Sequence, residues 1–295
     1  MVQALVSLEL SERNLKLLGQ EGLIPALFEM ASGNLESKEL SLSMLVKLSD
    51  CHENKILIAA AGGVPLVLKF SSHIHTIIIA KCLEILEKLS SHGDGIKFLV
   101  DEKGTQLHLE PVITYLLALQ QSPNSSHIVR RPALRALLGI CQSEAGLVKT
   151  AVLKANGVSL ILPLLDDSDI VIREAAINLL FLFSQHEPQG VVEYLLMPRR
   201  LEAFVGLLEN DDKDDVQMAA AGLLSNLPKA EKDLTKKLIE VEGLKAIINI
   251  LKSGTMEAKE NALSALFRFT DPTNLESQRI VVELARDVPF GCGLS

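Results

Sequence analysis

Six times along the chain a short apolar stretch ends in a turn and gives way at once to a second apolar run. The copies are EGLIPALFEM (Glu21–Met30), GGVPLVLKF (Gly62–Phe70), HLEPVITYLL (His108–Leu117), NGVSLILPLL (Asn156–Leu165), RRLEAFVGLL (Arg199–Leu208) and EGLKAIINIL (Glu242–Leu251). Their first core positions, Ile24, Val64, Leu109, Val158, Leu201 and Leu244, are separated by steps of 40, 45, 49, 43 and 43 residues. A unit of that size cannot bury its own apolar face and must stack on its neighbours, so the period predicts a helical solenoid. Composition points the same way: hydrophobic residues make up 48% of the chain but aromatics only 4%, with Leu, Ile, Val and Ala carrying the rest. That balance favours helix-on-helix packing, and the predicted class is all-α.

Within each unit the spacing predicts three helices. A short first helix, such as NKILIAA (Asn54–Ala60) or LVKTAVLKA (Leu147–Ala155), precedes the turn. Glycine ends it, because glycine enters the left-handed region without steric cost, and Pro25 or Pro65 opens the second helix with a φ suited to a first turn. Ser159, Glu202 and Lys245 stand at the proline position in other copies with the apolar spacing unchanged. The third segment has the clearest three- and four-residue periodicity: Glu36–Ser49, His75–Ser90, His127–Cys141, Asp169–Ser184, Asp214–Pro228 and Thr255–Thr270. Ala80, Ala136, Ala176, Ala220 and Ala262 lie in its middle, where neighbouring helices must approach closely. Asp167, Ser168, Asp211, Asp212 and Thr255 suit N-caps and the positive end of a helix dipole. The run ENDDKDD (Glu209–Asp215) lacks calcium-loop spacing and reads as capping plus a solvated turn.

Chemistry-bearing motifs are scarce. The net charge of -8 gives no electrostatic footprint for nucleic acid. Cys51, Cys82, Cys141 and Cys292 form no Cys-x-x-Cys pair, and Cys82 and Cys141 fall in apolar helical patterns as small hydrophobes. His73 and His75 could share a metal, but they lie at a turn with no third ligand nearby in sequence. Nucleophile-elbow, phosphate-loop and His-Glu-x-x-His patterns are missing, so no catalytic residue and no cofactor is expected. The N-terminus has no basic region before its apolar run, and no apolar run reaches bilayer-spanning length. The expected protein is soluble and intracellular.

The pattern of short first helix, Gly-Gly-Val-Pro-like turn, second helix and long third helix ending near Asn-Leu-Ser resembles the armadillo repeat. The resemblance implies a right-handed armadillo-type α-solenoid of about six three-helix repeats over residues 1–289, with 290–295 as an unstructured tail. Gln3–Ser11 reads as the tail of a third helix and Leu275–Pro289 as the first helix of a seventh repeat, so a fragment, a truncated product or a natural variant is expected. The segment Ser225–Arg279 is similar to the repeat region of plant U-box ubiquitin ligases, although nothing here resembles the U-box itself. That likeness implies a substrate- or regulator-binding module; the alternative is a stand-alone armadillo scaffold with no link to ubiquitin. It also implies a cytoplasmic place, with nuclear or plasma-membrane recruitment through partners.

In armadillo solenoids the third helices line a concave groove suited to extended peptides or helices. Alignment on the Asn-Leu-Ser position puts Lys47, Lys88, Gly139, Leu182, Asn226 and Arg268 on one rung. Ser43, Glu84, Arg135, Asn178, Gly222 and Ser264 stand four residues earlier. Nuclear import adaptors of this fold use tryptophan and asparagine there; this chain has no tryptophan and keeps only Asn226 on the later rung. The expected partner-binding residues are Lys47, Lys88, Arg135, Asn178, Asn226 and Arg268. Their cations favour an acidic or phosphorylated protein or peptide over nucleic acid or membrane insertion. Two readings of these cations stay open: a partner site, or solvated side chains that cover apolar groove surface, with Glu84 and Lys88 merely supporting their helix. The loop QQSPNSSH (Gln120–His127) reads as a flexible insertion or a modification site.

Overall fold

The computed structural model describes residues 2–70, 73–91, 109–122, 125–143, 145–210, 213–270, 278–279 and 281–282. These residues form helices and turns with no strand among them, in two compact units, Met1–Gly157 and Val158–Ser295. The first unit opens with α1 (Val2–Ser7) and continues through α2 (Glu12–Gln20), α3 (Leu23–Met30) and α4 (Leu35–Leu48). It then runs through α5 (His52–Ala60), α6 (Gly63–Phe70), α7 (Thr76–Ser90), α8 (Leu109–Gln121), α9 (His127–Ser143) and α10 (Ala145–Lys154). At its boundary α11 (Gly157–Ile161) leads by a 3-10 turn, Leu162–Asp166, into α12 (Ile170–Phe183) of the second unit. There follow α13 (Pro188–Leu195), α14 (Arg200–Leu208), α15 (Asp214–Asn226), α16 (Lys232–Glu240), α17 (Gly243–Ser253) and α18 (Met256–Leu266), which ends in a 3-10 turn, Phe267–Phe269.

The third helices are the spine of each unit: α1, α4, α7 and α9 pack side by side in the first, and α12, α15 and α18 in the second. Second helices α3, α6 and α8, and α14 and α17, lie against the third helix of their own repeat. All six predicted core positions, Ile24 to Leu244, are buried, as are the mid-helix alanines Ala80, Ala136, Ala176, Ala220 and Ala262. A methyl group at those alanines lets the helix axes close on one another, which is where the third helices gain their dispersion contacts. Three N-caps hold the starts of this spine. Asn34 Oδ1 accepts the Ser37 N–H at 2.9 Å, Asp169 Oδ1 that of Val171 at 3.0 Å, and Thr255 Oγ1 that of Ala258 at 3.2 Å. Thr255 caps as expected. Before α12 the cap is Asp169 rather than Asp167 or Ser168; Asp167 Oδ1 instead accepts the Asp169 N–H at 2.9 Å, closing the turn that presents the cap. Asp211 and Asp212 lie outside the described residues, as do the first helix of the third repeat, Pro123 and Asn124 of the 120–127 loop, Cys292, the 290–295 tail and most of 275–289.

The turn between first and second helices is chemically more varied than the glycine reading predicts. Among the described residues five have positive φ, one at the same register of five repeats: Gly22 (82°), Gly62 (93°), Asn156 (53°), Arg199 (65°) and Glu242 (60°). At Gly22 and Gly62 glycine supplies the left-handed conformation, as expected. In the two repeats with the sequences Asn156-Gly157 and Glu242-Gly243, however, the glycine comes one residue later, and its role is space. A Cβ on Gly157 would stand 2.3 Å from Val152 Cγ1, and one on Gly243 2.9 Å from Leu238 Cδ2. Arg199 and Glu242 therefore pay for a left-handed residue with a side chain, at roughly 1–2 kcal/mol each. Arg199→Gly and Glu242→Gly are each expected to raise stability by about 0.5–1 kcal/mol once the entropy of the added glycine is set against the relieved strain. Urea melts of the two variants and the double variant check this, and additive gains are expected because the sites lie in separate turns.

Candidate partner-binding surface

The residues predicted for the ladder do fall in register on successive third helices, and four of them do the same job. Lys47 Nζ, in the last turn of α4, donates to the carbonyls of Val6 at 2.8 Å, Leu5 at 3.5 Å and Leu8, where α1 ends. Lys88 Nζ, in the last turn of α7, donates to Val46 O at 3.1 Å near the end of α4 and also pairs with the Asp50 carboxylate. In the second unit Asn226 Nδ2 donates to Phe181 O at 3.2 Å and Ser184 Oγ at 2.9 Å, while its Oδ1 accepts from Gln185 Nε2 at 3.0 Å. Arg268 ends the series: Nη1 donates to Pro228 O at 2.9 Å, and Nη2 to Leu227 O at 2.9 Å and Leu224 O at 3.4 Å.

The last carbonyls of a helix have no partner within it and carry the negative end of its dipole. In each of these four cases they are met by a cation or amide one repeat along the chain. The rung is thus first a set of inter-repeat C-caps. Lys47 and Arg268 turn their donors to backbone, Lys88 divides its own between Val46 O and the exposed Asp50 carboxylate, and Arg268 is only 2% exposed. Burial pushes the Arg268 guanidinium down to about 10, so it remains a cation at neutral pH. Gly139, on the same rung of α9, needs no cap donor because the backbones themselves come together; a Cβ there would lie 2.8 Å from Ser90 O.

One turn earlier the side chains behave differently. Asn178 Nδ2 donates to Glu174 O of its own helix at 2.9 Å and is buried. Arg135 Nε pairs with Glu87 Oε1 of α7 at 3.0 Å, yet 56% of the Arg135 side chain is exposed. Burial holds the Glu87 carboxyl above the usual range, with Arg135 pulling it back down. Lys81, half-buried, lies on α7, and Arg131, exposed, lies four residues before Arg135 on α9. In the second unit the equivalent surface is of mixed sign, with Lys213 Nζ on Glu174 Oε2 at 2.8 Å.

A polar cluster that the sequence did not reveal joins Asp166, Tyr194 and Arg200. The Asp166 carboxylate accepts from the Tyr194 hydroxyl and pairs with Arg200, whose Nη1 reaches Tyr194 Oη at 3.1 Å and whose guanidinium lies 5.0 Å from the ring centroid. Burial pushes the Tyr194 hydroxyl up to about 12, so it stays a donor. Arg200 occupies the register held by Gly63, Gly157 and Gly243, and that departure from glycine was the one available signal. His73 and His75 stand with ring centroids 5.4 Å apart, and His73 Nδ1 accepts the His75 N–H at 3.2 Å. Among the described residues no three His, Cys, Asp or Glu side chains are grouped to hold a metal. No single described helix is long and apolar enough to cross a membrane. Cys51, Cys82 and Cys141 are buried free thiols, Cys82 pushed up to about 12 by burial.

No family model matches the chain, and no curated protein matches it in sequence. Solved structures resemble it in fold. An engineered protein superposes with a TM-score of 0.67 at 20% identity, over 93% of this chain and 64% of its own length. A designed armadillo repeat protein in complex with the peptide (KR)4 gives 0.59 at 19% identity, over 84% of this chain and 99% of its own. UNC-45 from Drosophila melanogaster gives 0.63 at 16%, over 93% of this chain and 34% of its own. The chain accordingly has the all-α fold of the armadillo-repeat solenoids.

Proposed function

We propose that this chain is a non-catalytic protein-interaction module whose third-helix faces receive a protein or peptide ligand. The supporting observation is the register of α4, α7 and α9, which lays one side-chain row across successive helices of a rigid stack, a preformed surface of the kind that takes extended peptides. A designed armadillo neighbour was solved with a basic peptide, (KR)4, bound. The α7 and α9 faces of the first unit are themselves basic at Arg135, Arg131 and Lys81, the sign of that peptide rather than its complement, so the ligand here is acidic or phosphorylated. Because Lys47 and Lys88 are engaged as caps, Arg135 is the side chain on which this reading turns.

The finer reading is that the module is the substrate- or regulator-binding region of a plant U-box ubiquitin ligase, working in the cytoplasm and reaching the nucleus or plasma membrane through partners. Its support is the sequence likeness of Ser225–Arg279. Two experiments test the two levels. On an array of matched phosphoserine, glutamate and Lys-Arg peptides the phosphorylated set is expected to bind, and Arg135→Glu to weaken that binding at least tenfold; preference for the Lys-Arg set sinks the acidic-ligand reading. An immunoblot of the native protein with an antibody against the repeats is expected to find a species well above 32.1 kDa with a U-box upstream. A native species of 32.1 kDa alone supports the stand-alone scaffold.

A further inference from the structure

Glu87 and Arg135 meet at a contact that the second unit makes without charge. Counting back from the cap rung, the position one residue earlier holds Val46, Glu87, Leu138, Phe181, Ser225 and Phe267, and Glu87 is its only ionisable side chain. Four residues before the rung, Arg135 is the only cation of its row, beside Ser43, Glu84, Asn178, Gly222 and Ser264. In both units these two rows touch between successive third helices. The Phe181 ring of α12 is received by Gly222 of α15, where a Cβ would stand only 2.3 Å from Phe181 Cε2. Between α7 and α9 the same place is taken by an ion pair, Arg135 Nε to Glu87 Oε1 at 3.0 Å, with the Glu87 side chain 20% exposed and more than half of the Arg135 side chain open to solvent.

As a clamp between α7 and α9 the pair is a poor one. Desolvation and the charge of Glu84, three residues earlier, count against the Glu87 carboxylate while Arg135 and Lys88 favour it, and the apolar residues that hold this row in four other repeats carry no such penalty. What the pair does is hold the exposed cation of the surface against an anion already in the chain. We propose that Glu87 is an internal competitor of the acidic or phosphorylated ligand: it occupies Arg135 in the free protein, and the ligand's anion takes its place on binding. Glu87 has that role only with the anionic ligand proposed above for the Arg135 surface, and given that ligand it sets a threshold for binding. Exchanging one carboxylate for another at a guanidinium gains little, whereas a phosphate monoester brings about -1.5 to -2 charges at pH 7 and three acceptor oxygens to the same donors. A peptide carboxylate therefore gains nothing from Arg135 while Glu87 is there, and a phosphoserine still does.

The test is fluorescence anisotropy on the full chain with the strongest phosphoserine peptide of the array and its matched glutamate peptide. Glu87→Gln, a near-isosteric change whose folding is checked by far-UV circular dichroism and a urea melt, is expected to bind both peptides at least fivefold more tightly than the wild type. Glu84→Gln removes the same charge from a side chain that makes no ion pair with Arg135, and is expected to gain less than twofold. In an Arg135→Ala background, Glu87→Gln is expected to change neither affinity by more than twofold, since the competitor then has nothing to compete for. Phosphoserine binding that needs Arg135 but is unchanged or weakened by Glu87→Gln overturns the proposal and leaves the ligand reading standing. So does an equal gain from Glu84→Gln, because the effect would then be one of overall charge. Failure of the wild type and Glu87→Gln alike to bind either peptide overturns both.

Discussion

Arg268→Ala is expected to cost about 3 kcal/mol, a large share of the stability of a domain whose whole margin is on the order of 5–15 kcal/mol. The guanidinium supplies three bonds to the carbonyls of Leu224, Leu227 and Pro228, in a site from which water is nearly excluded. Desolvation counts against the ion, and this is what lowers its pKa to about 10. Truncation does not recover that cost, because it leaves Leu227 O without its donor in a nearly dry site and Leu224 O and Pro228 O with only the longer bonds from the Leu227 N–H at 3.3 Å and the Glu231 N–H at 3.5 Å, and an orphaned acceptor is more expensive than the net worth of the bond it lost. Arg268→Lys, which keeps one charged donor, should lose about half as much. The folded pKa is depressed relative to the unfolded chain, so the two states bind protons unequally only between about pH 10 and the ordinary guanidinium range, where stability rises with pH. Near neutrality both states hold the proton, and the loss on truncation should therefore be independent of pH. Urea melts at two neutral pH values check the size. Hydrogen exchange checks the place: protection is expected to fall first at the end of α15 and the start of α16, where the capped carbonyls lie.

The position of that arginine was legible in the sequence, and its task was not. Apolar spacing sets which residues of a third helix share a face, so Lys47, Lys88, Asn226 and Arg268 could be put on one rung from periodicity and the terminal Asn-Leu-Ser register. Whether a donor on that rung faces solvent or the backbone depends on how far the helix one repeat earlier extends past it. That is a distance between residues some 41–45 positions apart in sequence, set by the angle at which the helices cross. Local pattern carries no information on it. The turns failed for a different reason. Pro25, Pro65, Gly22 and Gly62 satisfy backbone preference and could be read directly, and Asn156 is the side chain that enters the left-handed region most readily, whereas Arg199 and Glu242 adopt left-handed φ against preference. A strain of about 1–2 kcal/mol is small beside the burial of Leu201 or Leu244 just beyond each turn, so packing decides and the local rule is overruled. Arg200 shows the converse. Once glycine is given up, a side chain must find an occupation, and it finds Asp166 and Tyr194.

Gly139 is a point at which the helix spine tolerates little change, and Gly139→Val is expected to cost about 3 kcal/mol, near the upper end of the usual range for overpacking. Substituting a glycine inside a helix ordinarily stabilises it, because the added side chain restricts the unfolded chain, by about 0.5–1 kcal/mol for alanine. Gly206, in α14, illustrates that case: a Cβ there meets nothing within 4 Å, and Gly206→Ala should gain about that much. At Gly139 the same Cβ would stand 2.8 Å from both Ser90 O and Ser90 Oγ and 2.9 Å from the carbonyl carbon. The obstacle is backbone at the end of α7 and cannot rotate away, so α9 must move off α7 along the seam formed by Leu83, Leu86, Leu134 and Leu137, all of them buried. Even alanine should lose about 1 kcal/mol once its propensity gain is offset by the separation of the helices, and valine adds a β-branch that stiffens the clash. One substitution, Gly to Ala, is thus expected to change sign between two helices of the same chain. Thermal and urea melts of Gly139→Ala, Gly139→Val and Gly206→Ala measure it. If Gly139→Ala proves as stabilising as Gly206→Ala, then α7 and α9 do not meet at Gly139, and the register assigned to the cap rung in the first unit is wrong by at least one position.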